Sequence, residues 1–249
     1  MATMTTPAAT ARRAPADWTR NNARAAGILY ILTFASSIPA AFYFLSPILD
    51  DARYVVGPGQ DTRVIIGCLL DVVNALTCVG TAVAVYPVVK RQNQSMALGF
   101  VMSRMFEAAV VMMGVVSLLA VVALRKNAGG ADPDSLLATS QGLVALRDYT
   151  FQFGPNMCAA INGLLFGTLL YKSRLVPRIL PIMGLTAAPL LMGATIATVL
   201  GLTHQGSAWF APGGALIFVW ELSVGIYMTV KGFKPSAITT TGPSADDRS

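Results

Sequence analysis

The chain has 249 residues, 54% of them hydrophobic and only 12% charged, with a mean hydropathy of +0.60; soluble domains carry about a quarter charged residues, so the balance excludes an ordinary soluble domain and points to a multi-pass membrane protein. The formal charge of +6 gathers at the ends of apolar runs rather than on a folded basic domain, which reads as topology signal and headgroup anchor, with the lipid bilayer as partner and no nucleic acid. Three cysteines without a C-x-x-C pair and one histidine exclude bis-histidine haem, an H-E-x-x-H zinc site and a di-metal centre. Neither a metal site nor a cofactor is expected.

Residues 1–22, rich in Ala, Thr and Arg, read as a mobile tail. Arg12–Arg13 has the look of a twin-arginine pair but lies far from the first apolar run. That run continues past a signal-peptide core, so an uncleaved first span is expected. A bilayer-crossing helix needs about 20 residues, and six runs qualify: Ala25–Leu45, Thr62–Val89, Ser95–Leu124, Gly154–Tyr171, Ile179–Leu202 and Pro212–Val230. The second and third exceed one bilayer thickness and are expected to tilt or protrude. Between the third and fourth spans, DPDSLLATSQGLVALRDYTF offers Asp132 as N-cap and Pro133 at the first helical position, followed by an apolar side of Leu136, Leu137, Leu143, Val144 and Leu146. It reads either as an amphipathic helix on the outer membrane surface that breaks at Gly154–Pro155, or as an extended start to the fourth span. Gly163-x-x-x-Gly167 predicts a close helix contact, and Cys68, Cys78 and Cys158 read as small packing residues. Residues 235–249 form a second tail, so one all-α bundle of six transmembrane helices is expected over 23–234.

The Lys/Arg bias sets the orientation. Arg12, Arg13, Arg20 and Arg24 precede the first span; Lys90 and Arg91, then Lys172, Arg174 and Arg178, occupy alternate loops; Lys231 and Lys234 follow the last. The intervening loops mix Arg53, Arg63, Arg125, Lys126 and Arg147 with six aspartates, Asp50, Asp51, Asp61, Asp132, Asp134 and Asp148. Both termini are therefore expected in the cytoplasm.

Several polar residues fall deep inside the spans: Asp71 and Asn74 in the second, Arg104 and Glu107 in the third, Asn162 in the fourth, and Glu221, beside Trp220, in the sixth. At a rise of about 1.5 Å per residue they lie about 12–18 Å into the bilayer. Each uncompensated charge there costs about 2.5–3.5 kcal/mol even on the lenient insertion scale. They should therefore face inward and meet. Arg104 and Glu107, three residues apart, share one helical face, and Arg104 is expected to pair with at least two of Asp71, Glu107 and Glu221. Three carboxylates against one arginine leave a charge of −2 when all are ionised, so protons or a cation should be held there, with Glu221 as the carrier. Trp220 is a candidate pocket wall.

The stretches SRMFEAAVVMMGVVSLL, INGLLFGTLLYKSRLVPRILPIMGL and WELSVGIYMTVKGFKP together resemble a bacterial family of small multi-pass proteins known as domain of unknown function 4386, over most of residues 24–235. The resemblance implies an integral protein of the bacterial inner (plasma) membrane, and picks out Arg104, Glu107, Asn162, Ser173, Arg174, Pro177 and Glu221 as matching positions. It supplies no reaction, substrate or cofactor. Three functions remain open from the residues: a protein that binds or transports protons or a small hydrophobic or cationic ligand; an intramembrane enzyme using a carboxylic acid on a lipid or isoprenoid, with Trp220 or Phe106 stabilising a carbocation; or a structural or signalling protein whose charges set helix packing.

Overall fold

A computed structural model describes residues 17–204 and 206–240; Arg12–Arg13 and the segment 241–249 lie outside them. Among the described residues the chain is helical, without strands. α1 spans Asp17–Pro39 and runs on through a π-helical turn, Ala40–Phe44, to the single-turn α2, Ser46–Leu49. α3 spans Asp61–Val89, α4 Gln94–Lys126 and α5 Pro133–Phe151. A second π-helical stretch, Gln152–Cys158, joins α5 to α6, Ala159–Ser173. α7 spans Ile179–Val199, α8 Ala211–Val230 and the short α9 Ala237–Thr240. Six helical runs are long and apolar enough to cross a membrane. The protein is a multi-pass membrane protein.

Local chemistry explains the boundaries. Asn93 caps α4 by accepting the Met96 N–H at 2.8 Å, and Arg125 and Lys126 close it where the carbonyl ends favour cations. Asp132 caps α5, accepting the Ser135 N–H at 2.9 Å, with Pro133 at the first helical position as expected. Both π-helical stretches involve a proline, Pro39 and Pro155, whose missing N–H interrupts the α ladder.

The helices pack as a ring in chain order: α1 on α3, α3 on α4, α4 on α5 and α6, α6 on α7, α7 on α8, and α8 back onto α1. Small residues permit the closest approaches. A side chain at Gly27 would strike the α8 backbone at Gly225 and Thr229, and Gly163 and Gly167 both face α7, so the predicted close contact lies within the bundle.

The structure differs from the sequence reading at one boundary and decides between two readings at another. Residues 17–22, assigned to the tail, form the first turns of α1. Of the two readings of the segment that begins at Asp132, the structure has the extended start to the fourth span, with no break at Gly154–Pro155. α5 and α6 form one 41-residue helical run, Pro133–Ser173, and the π-helical stretch absorbs the proline. Leu136, Leu137, Leu143 and Val144 of α5 pack on a core around Leu118 and Val121 of α4, leaving Leu146 exposed. That packing lays α5 along α4, and Arg147 reaches across from α5 toward Asp71 of α3.

Candidate functional site

One half of the bundle is filled at its centre, and the other holds a cavity beside the core around Leu118 and Val121. Toward the end that carries Lys90, Arg174 and Lys231, a core including Val85, Phe100, Leu169 and Met228 fills the centre. At its top, Phe166 stacks on Phe100 with centroids 4.8 Å apart, on Tyr30 at 6.4 Å, and meets the Trp220 ring edge-on at 6.5 Å. Above this aromatic layer lies a cavity of about 360 Å³ lined by α1 and its π-helical turn, α3, α4, the α5–α6 run, α7 and α8, with Arg104, Glu107 and Glu221 at its floor.

Five ionisable side chains line it: Asp71, Arg104, Glu107, Arg147 and Glu221. Arg104, 1% exposed, donates from Nη1 to Glu107 Oε2 at 2.8 Å, one helical turn away. Asn162 Nδ2 donates to the same Oε2 at 2.9 Å, tying α6 to α4. The Arg104 guanidinium carbon sits 5.1 Å from the centroid of Tyr30, a cation–π contact that brings α1 into the group. Glu221 is 9% exposed and its Oε1 has no hydrogen-bond partner; Arg104 Nε and Nη2 and Asn162 Oδ1 are likewise unpartnered. Asn74 also faces the cavity, and its Oδ1 lies 3.8 Å from the Cys78 thiol, which donates to it.

Asp71 does not reach Arg104. Its Oδ2 lies 3.9 Å from Nη2 of Arg147, which α5 delivers and which is 8% exposed. Arg147 stood among the loop residues in the sequence, because the segment was open to lying flat. A signal for it was present: Ser140, Arg147 and Thr150, the buried residues of α5, recur at helical spacing on one face. Gly114 of α4 opens the space they occupy, since a side chain there would meet Thr150 and Arg147. Arg104 therefore pairs with Glu107 alone among the three expected acids, and the count becomes two arginines against three carboxylates, a charge of −1. Two pairs form, and Glu221 is left over.

Trp220 does not line the cavity. Consecutive residues point about 100° apart on a helix, so with Glu221 facing the cavity Trp220 turns toward α7. There it is fully buried, its ring against Gly184, where no side chain would fit. Phe106, the other aromatic group considered for stabilising a carbocation, is 57% exposed and also absent from the cavity wall. The cavity's aromatic lining comes instead from Phe34, Phe42, Phe151, Phe210 and Phe218.

The profile of a family described as domain of unknown function 4386 matches residues 25–232. The chain belongs to that family. No curated protein and no solved structure matches it. Of the positions that carried the family resemblance, Arg104, Glu107, Asn162 and Glu221 converge at the floor of the cavity. Ser173, Arg174 and Pro177 instead build the turn from α6 to α7, where Arg174 takes a left-handed conformation (φ 56°) and Leu175 and Val176 plug the filled half. In this unknown-function family member, the charged cavity and the structural turn occupy opposite halves of the bundle.

Proposed function

We propose that the protein binds and moves a small ligand across a bacterial inner membrane, with both termini cytoplasmic, and that Glu221 exchanges a proton for the ligand's positive charge. The observation that carries this reading is the cavity itself: a space of about 360 Å³, within the range of small-molecule sites, whose floor holds one more carboxylate than arginine. With Asp71 beside Arg147 and Glu107 beside Arg104, an ionised Glu221 leaves an uncompensated charge that is expensive at this depth. A proton or a cation discharges it. The groups facing Glu221 are Arg104 and Glu107 from α4, Tyr30 from α1 and Cys78 from α3. The filled half beneath the floor supports access from one side at a time, as a transporter requires and an open channel does not. The Lys/Arg bias supports a filled half toward the cytoplasm.

Infrared difference spectra of the reconstituted protein test the proton. A protonated-carboxyl band is expected at pH 7, lost in Glu221→Gln and kept in Asp71→Asn. A pH dye inside proteoliposomes should report proton movement when small amines are added outside. If the wild type shows no protonated carboxyl at pH 7 and no amine moves protons, the reading fails and the charges serve helix packing.

A further inference from the structure

The cavity does not close on its flank between α1 and α8. Those helices lie backbone against backbone at Gly27, Gly225 and Thr229 in the filled half, but higher up they meet through side chains, with the Phe34 and Phe218 rings 5.0 Å apart and edge to face. At and beyond that contact, Phe218, Ile38 and Phe42 line the cavity and are also exposed, at 39%, 40% and 82%. A residue that is cavity wall on one side and lipid-facing surface on the other marks an opening. This opening faces the apolar phase, because Phe34, Ile38, Ala41, Phe42, Gly214 and Phe218 edge it, with Ser37 the uncharged polar side chain among them.

Resting on the ligand-binding reading above, we infer that the ligand is a single-chain cationic amphiphile, a long-chain amine or amino alcohol, which enters from the lipid between α1 and α8. Its ammonium group sits at Glu221 and its chain trails out past Phe218 and Phe42.

Charge sets the head group. The site is one negative charge in excess, so an ammonium brings it to neutrality while a carboxylate head would double the imbalance. The atoms left without partners agree with this assignment. Glu221 Oε1 accepts from the ammonium, and a hydroxyl beside it would accept from Arg104 Nε or Nη2. Size sets the chain. About 360 Å³ is at the small end of ligand sites, enough for a head and a few methylenes, so the remainder of a long chain must leave through the flank. The phenylalanines there offer apolar surface to the chain, with ring faces near the entering cation.

Three nitroxide-labelled chains of equal length, bearing an amine, a hydroxyl or a carboxylate head, discriminate the possibilities in bilayers containing the protein. Electron paramagnetic resonance should show a motionally restricted amine population that saturates at one per protein and is displaced by unlabelled dodecylamine. Glu221→Gln should weaken it by about tenfold or more, since truncating one partner of a buried charge pair removes at least that much affinity. Gly214→Phe, which fills the mouth without touching the floor, should lower it as well. Tightest binding of the carboxylate would overturn the inference in favour of recognition by Arg104. Equal restriction of all three heads would overturn it too, by showing annular lipid contact alone. If the amphiphiles fail while the Glu221-dependent carboxyl band and amine-driven proton movement persist, the lipid-like ligand and lateral route fall and the proton-exchanging cavity stands. Loss of all these signals removes both.

Discussion

Replacing Arg104 by methionine isolates what the buried pair contributes. The guanidinium is 1% exposed and lies 2.8 Å from Glu107, which is itself 6% exposed and is otherwise held by Asn162 at 2.9 Å. Arg104→Met leaves the Glu107 carboxylate in the bundle with the Asn162 amide and the Cys78 thiol but no cation beside it. Removing one partner of a buried pair costs about 3–5 kcal/mol. At roughly 2–4 °C per kcal/mol for a chain of this size, the loss in Tm should be about 6–20 °C. Arg125→Ala is the internal control. Arg125 also forms an ion pair, with Asp61 at 3.0 Å, but both side chains there are nearly a fifth exposed, 19% and 18%, and such pairs contribute about 0.2–1 kcal/mol. Thermal unfolding in detergent micelles, followed by thiol-reactive dye at the three buried cysteines Cys68, Cys78 and Cys158, measures both. The double variant Arg104→Met/Glu107→Leu should recover part of the loss. It removes the stranded charge and leaves Asn162 short of an acceptor, a cost of about 1–3 kcal/mol. Equal Tm losses for Arg104→Met and Arg125→Ala, or a double variant as unstable as the single, would refute the argument that the pair is desolvated.

Three further outcomes are expected. A double-mutant cycle on Asp71→Asn and Arg147→Met should show a coupling of about 0.5–3 kcal/mol, and zero coupling would mean that the 3.9 Å approach carries no interaction. A reporter active only in the periplasm, fused after Ser249, should stay silent, because the basic loops fall at the end of the bundle where α1 begins and α8 ends; a strong signal reverses the orientation. At the exposed cap of α5, hydrogen bonds from the Ser135 N–H and hydroxyl hold the Asp132 carboxyl below its ordinary range. A depressed value means that the cap contributes above the unfolded carboxylate's range and is lost as pH falls through the folded one. Amide exchange in the first turn of α5 should therefore be faster in Asp132→Ala than in the wild type at pH 7, and the two should converge in acid; a constant ratio would show that the carboxylate is not the cap.

Hydropathy and intramembrane charge are one-dimensional signals, and they located most of the architecture. The six runs fall on α1, α3, α4, the α5–α6 run, α7 and α8 to within a few residues, apart from two starts: α1 begins eight residues before its apolar run, and the α5–α6 run begins at Pro133, well before the expected Gly154. The gathering of Asp71, Arg104, Glu107 and Glu221 follows from the cost of leaving any of them in lipid. Which acid meets which base is a three-dimensional question. Arg147 was hidden because its depth depends on whether the chain bends at Gly154–Pro155, and a helix can widen into a π turn there instead of breaking. Trp220 was misassigned through adjacency in sequence, which on a helix places neighbours on different faces. The phenylalanine-lined flank was invisible for a further reason. An apolar residue facing lipid and one facing a cavity look the same in a membrane sequence.

The ring of helices has a seam. Around the bundle each helix is tethered to the next by a loop or by the α5–α6 run, except where α8 meets α1, two elements from opposite ends of the described chain. During synthesis the first five spans can settle against a neighbour already present, while this last contact waits for the sixth, and its sequence separation makes it the slowest closure in the ring. The same lack of a tether persists in the finished protein. Two helices joined by a short loop can part only as far as the loop allows, whereas α1 and α8 are held by side chains and by the glycine contact at one end. The glycine contact at Gly27 and Gly225 pins one end of this seam, while at the other, beside Phe42, no loop joins the two helices.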